Sequence, residues 1–144
     1  MGYQARSGAS LIRIRSERSW SLLGALDYTP DEDLSREDNL IDCLIDLDWA
    51  CVDRSADAFG FSHDRDEAMD WQAFVNMAPF LEDGSFFEEW PDDYVQDLQG
   101  NNCPGLMQAL VEGGVLQCRL YALLKDSEGQ KIRQLMQVLD PSLF

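Results

Sequence analysis

Residues 36–50 constrain this chain more than any other stretch, because they put two side-chain types on two faces of one helix. Leu40, Leu44 and Leu47 recur at i, i+4 and i+7, and Ile41 and Ile45 widen that apolar stripe. Asp38, Asp42 and Asp46 recur every four residues on the remaining face. Ser35 stands where an N-cap belongs, with Asp38 three residues on, and Glu37 and Asp38 suit the positive end of a helix dipole. The spacing predicts a helix over residues 36–50, with leucines inward and aspartates outward.

The aspartate stripe belongs to a wider charge pattern. The 144 residues carry 27 Asp plus Glu against 11 Lys plus Arg, a formal net charge of −16. Residues 1–26 hold four cations and one acid, residues 27–97 hold 22 acids and three cations, and residues 98–144 hold four of each. So acidic a chain is a poor direct ligand for nucleic acid or an anionic membrane leaflet, since both need a surplus of cations. The 45% hydrophobic content and four tryptophans set it apart from acidic disordered chains, which bury too little apolar surface to fold. The length fits one domain.

The longest apolar runs are only a few residues, too short to span a bilayer, and arginines break the apolar stretch near the start where a signal peptide would need continuity. Cys43, Cys51, Cys103 and Cys118 form no C-x-x-C pair, and one histidine cannot complete a site of two Cys and two His. The expectation is a cytoplasmic protein with reduced, packed cysteines and no cofactor or metal.

The pattern predicts a loose arm over residues 1–9 and one globular acidic domain over residues 10–144. Strands are expected at residues 11–15, 56–62 and 115–124. Further helices are expected at 20–26, 64–77, 91–98 and 106–112, with Gly113-Gly114 stopping the last of these, and Ile132, Leu135, Met136 and Leu139 show a helical period. The implied fold is α/β or α+β: a small three-stranded, largely parallel sheet packed with helices.

Catalytic motifs are few. His63 is the only imidazole, and Ser62-His63-Asp64 is a local triplet whose neighbours point apart on extended chain; it reads as a surface loop histidine. A small enzyme using His63 would need it to serve as base or ligand. No glycine motif matches a phosphate cradle, and the acidic runs lack the calcium-loop pattern.

The aspartate stripe reads in two ways: as an ordinary solvated face, or as a preformed anionic ridge that meets a basic partner. Like charges at i, i+4 destabilise a helix by roughly 0.2–0.5 kcal/mol per pair. Rigidly spaced carboxylates leave little backbone to order on binding, and opposed potentials speed association. Residues 82–97 interleave acids with aromatics, and Glu88, Glu89, Trp90, Asp92, Asp93 and Tyr94 form a second candidate contact set, or else an amphipathic segment whose aromatics are core.

Asp38-Asn39-Leu40-Ile41-Asp42-Cys43-Leu44 resembles the inhibitory helix of the barstar-type ribonuclease inhibitors, whose pattern is D-A-L-W-D-C-L; five of seven positions agree, with Ile41 where that family has tryptophan. The resemblance implies that Asp38 and Asp42 enter the active site of a basic ribonuclease, and that a small parallel sheet supports the helix. The function expected is that of an acidic binding protein, resembling an immunity protein, that occludes a basic nuclease or another nucleic-acid-processing protein. The alternative is a DNA mimic that blocks a restriction, CRISPR or repair protein.

Overall fold

A computed structural model describes residues 5–91 and 94–141. Among the described residues, nine strands and three α-helices follow the order β1 (Ala5–Arg15), α1 (Ser19–Ala25), α2 (Arg36–Asp46), β2 (Trp49–Arg54), β3 (Ala58–His63), α3 (Trp71–Met77), β4 (Phe86–Pro91), β5 (Val95–Gln96), β6 (Asn102–Cys103), β7 (Gly105–Glu112), β8 (Val115–Lys125) and β9 (Lys131–Leu139). Seven strands make one antiparallel sheet in the order β2-β3-β1-β4-β7-β8-β9, and β5 pairs with β6 alone. β1 begins at Ala5, within the stretch expected to be a loose arm.

This corrects the expected fold: the sheet has seven antiparallel strands, not three largely parallel ones, and the helices are short. Three misread segments account for the difference. Residues 106–112 lie in β7, not in a helix, because Gly113 and Gly114 turn a hairpin between Glu112 and Val115 rather than stop a helix. Both glycines have positive φ, 58° and 75°, as a tight two-residue hairpin turn requires. The residues near the C-terminus that show a helical period form β9, which pairs with β8 across a register shift at Leu120/Tyr121. Phe86 to Pro91 is extended and the pair Val95–Gln96 is a strand, so the helix expected over 91–98 is absent from its described residues; Asp92 and Asp93 lie outside them.

One face of the sheet carries the core. Cross-strand register sets Ile12 beside Phe61, Ile14 beside Phe59 and Phe87 beside Ala109. Leu22 and Leu23 of α1, Leu40 and Leu44 of α2, and Phe74 and Met77 of α3 pack on this face. Trp49 stacks on Phe74 at 6.1 Å between ring centroids and meets Phe87 edge-on at 6.3 Å. All three helices therefore lie on one side. The opposite sheet face holds Arg13, Glu88, Gln108, Arg119 and Arg133, placed there by the two-residue alternation of their strands.

β4 sits mid-sheet, between β1 and β7, and is buried on both faces along much of its length. No helix among the described residues is long and apolar enough to cross a membrane.

Candidate functional site: an acidic helix face and groove

The site is built on α2. Ser35 caps it, its Oγ accepting from the Asp38 backbone N–H at 3.1 Å. Asn39 is fully buried and ties the preceding loop to the helix. Its amide Nδ2 donates to the carbonyls of Asp31, Leu34 and Ser35 at 3.1, 3.3 and 3.0 Å, and its Oδ1 accepts from the Asp31 N–H at 2.7 Å. Leu40, Cys43 and Leu44 face the core, while Asp38, Asp42 and Asp46 are exposed. The helix ends at Asp46, and Asp48, in the left-handed region at φ 68°, turns the chain into β2. Trp49 and Ala50, expected in the helix, belong to that strand.

The three carboxylates differ in company. Asp38 has Arg54 of β2 at 4.0 Å. Asp42 and Asp46 make no ion pair among the described residues. Asp46 lies in the last turn of α2, at the negative end of the dipole, and that turn has no basic residue.

Beside Asp46 a groove of about 510 Å³ opens between the end of α1, the second half of α2 and the start of α3. Asp27, Asp46 and Asp70 line it with Tyr28, and no Lys, Arg or His is among its lining residues. Asp70 caps α3, its Oδ1 accepting from the Ala73 N–H at 3.0 Å. The Tyr28 phenol has its pKa raised above 10 by burial and then by the fields of Asp42, Cys43, Asp31 and Asp46. Ridge and groove thus act on one side chain. Burial, reinforced by Asp46 and Asp42, pushes the Cys43 thiol up to about 11, so it stays protonated and unreactive at neutral pH.

The second candidate set is divided by its strand. Adjacent on β4, Glu88 and Glu89 point to opposite faces, and both are buried. Glu89 faces the helices, where Trp71 Nε1 donates to Oε2 at 2.9 Å; burial raises its pKa, and the Trp71 bond opposes the rise. Glu88 lies on the other face. Arg133 Nη1 donates to its Oε2 at 2.6 Å, Arg133 Nη2 to its Oε1 at 3.3 Å, and Gln108 Nε2 to its Oε2 at 3.1 Å. Trp90 is half exposed and Tyr94 is exposed. The structure therefore brings Asp38, Asp42 and Asp46 together and keeps Glu88 and Trp90 on the far side of the sheet.

Comparison of the chain with protein families, with curated proteins and with solved structures finds no match.

His63 is not the surface loop residue expected. It is 2% exposed, edge-on to Trp49 at 5.0 Å and to Phe87 at 5.6 Å. Ser7 Oγ lies 3.2 Å from its Nδ1 and donates to the Glu67 carbonyl at 2.6 Å. The hydroxyl proton is committed to that carbonyl, so the pair is satisfied by an Nδ1–H that donates to Ser7. That polarity is the reverse of an activated nucleophile, whose hydroxyl must donate to the imidazole. Burial lowers the His63 pKa and keeps the ring neutral. Among the described residues no group of three or more His, Cys, Asp or Glu is placed to hold a metal ion.

Asp27, Tyr28 and Asp70 escaped the sequence reading because the loop after α1 and the cap of α3 lie far apart along the chain and meet Asp46 only in the fold. Asp70 did leave a local signal, as an acid just before Trp71 in an N-cap position.

Proposed function

We propose that this chain is an acidic binding protein that occludes a basic protein partner, a nuclease or another nucleic-acid-processing protein, in the manner of an immunity protein. The carrying observation is that Asp42 and Asp46 stand at fixed helical spacing, without an ion-pair partner among the described residues, beside a groove lined by Asp27 and Asp70. A basic side chain entering that groove would meet carboxylates from three elements. The ridge would hold the surrounding cations that otherwise bind phosphate, so nucleic acid and inhibitor would compete for one surface. The resemblance of residues 38–44 to the barstar inhibitory helix supports the reading to this extent: both matched aspartates are exposed on α2.

The test starts with affinity capture from the native host, eluted over a salt gradient, followed by calorimetric titration of the purified partner. A cationic nuclease or DNA-binding protein whose activity falls on stoichiometric addition of this chain is expected. Asp42→Ala or Asp46→Ala should cost above roughly 2 kcal/mol of binding, as a hot spot does. Partners that are all neutral, or two variants that bind like the parent, would sink the reading.

A further inference from the structure

The sheet face without helices holds a second groove, beside the turn between β8 and β9. Its volume is about 510 Å³, and its lining includes Trp90, Leu106, Leu123, Lys125, Lys131 and Arg133. Leu106 is buried and Trp90 is half exposed, so the apolar wall runs from the interior to the surface. Cross-strand register sets Leu123 opposite Arg133 and Lys125 directly opposite Lys131.

Like charges facing each other across two strands are destabilising. Arg133 is neutralised by Glu88. Neither lysine forms an ion pair among the described residues. Asp126, in the turn that follows Lys125, is held by that turn, its Oδ1 accepting from the backbone N–H of Glu128 and of Gln130, and it forms no ion pair with either lysine. Two cations without an ion pair among the described residues therefore border an apolar hollow, in a chain whose net charge is −16. The volume falls in the range of small-molecule sites, about 300–1,000 Å³.

We propose that this groove binds a small amphipathic carboxylate. The apolar body lies against Trp90, Leu106 and Leu123, and the carboxylate bridges Lys125 and Lys131. A bound anion turns a repulsive cross-strand pair into a bridged one, which is the charge complementarity that selects this ligand class. The groove and the acidic helix face lie on opposite sides of the sheet, so the two proposals stand or fall separately.

The probe is decanoate below its micellar concentration, titrated into ¹⁵N-labelled full-length protein and followed by amide shifts. Decanol and decylamine serve as neutral and cationic controls. Saturable shifts confined to residues around the groove are expected, with decanol and decylamine at least 10-fold weaker. The double variant Lys125→Gln, Lys131→Gln changes two exposed side chains. It should bind decanoate at least 10-fold more weakly and leave decanol binding unchanged. Decanol binding as tightly as decanoate, a double variant that binds decanoate like the parent, or no shifts near the groove at millimolar decanoate would each overturn the proposal.

Discussion

Replacing Asp46 by lysine should stabilise the fold while weakening the binding proposed for the helix face. Asp46 is exposed, is the last helical residue of α2, and faces Asp42 one turn earlier with no cation in that turn. The substitution removes one like-charge pair and makes a favourable one, with the acid correctly placed four residues before the lysine, at roughly 0.2–0.5 kcal/mol each. It also exchanges an unfavourable charge at the helix C-terminus for a favourable one, at roughly 0.3–1 kcal/mol each. Because the site is open to solvent, the lower half of the combined range applies, about 1–2 kcal/mol. For a chain of this length that is a rise in Tm of about 3–6 °C. Urea unfolding at 20 mM and 1 M NaCl checks it. The gain should show at low salt and shrink at high salt, because exposed charges are screened. A variant that is less stable than the parent, or a gain independent of salt, would refute the electrostatic account of this face. A gain in stability together with weaker binding of the partner would show a face kept acidic at a cost in stability.

Three further outcomes follow from the packing. Asn39→Ala removes a fully buried side chain that donates to three carbonyls and accepts from one N–H, and should cost about 2–4 kcal/mol by urea unfolding, with loop residues 28–35 losing amide-exchange protection first. Trp49→Ala empties the space between Phe74, Phe87 and His63 and should cost about 3–5 kcal/mol, with loss of near-ultraviolet dichroism if the fold survives. The depressed pKa of His63 means that the unfolded chain binds its proton more readily; stability should therefore fall as pH drops from about 6.5 through the folded value, and His63→Phe should flatten that part of the curve. Glu89, with a raised pKa, contributes in the opposite sense, stabilising at low pH and losing that contribution as pH rises through its folded value, so the comparison is between parent and variant rather than of absolute slopes.

Helix α2 was legible because cap, dipole and period agree over one local stretch, and its outward aspartates follow from that period alone. β3 and β8 were legible as apolar runs bounded by turns. β9 was not. Its Ile132, Leu135, Met136 and Leu139 fall at helical spacing by coincidence, since Ile132 and Leu135 are about half exposed and the pattern does not record burial. Gly113-Gly114 serves a helix end and a hairpin equally well in one dimension, and only the pairing of β7 with β8 decides between them. The strand β4 hid for another reason. With both faces buried it loses the alternation that marks a strand, and its two adjacent glutamates mimic a solvated surface. The groove beside α2 could not be read from sequence, because its walls come from three elements brought together by tertiary packing.

The folded arrangement of charge also differs from its order along the chain. Cations from the weakly basic start and the neutral end reach acids of the middle third: Arg13 meets Asp53 at 3.1 Å, Arg15 meets Glu82 at 2.7 Å, and Arg133 meets Glu88 at 2.6 Å. Arg13, Arg133 and Glu88 all sit on the sheet face without helices. The antiparallel order thus places much of the scarce positive charge on one side of the molecule and leaves Asp42 and Asp46, on the other, without ion pairs among the described residues. Uniformly spread negative charge would keep the chain soluble and repel every acid alike. A one-sided field does more: it orients a basic partner before contact, and so raises the rate of productive encounter. Charge reversal at Asp42 or Asp46 should therefore slow association and weaken its salt dependence. The same reversal at Glu128, exposed on the β8–β9 turn, should leave both close to the parent values.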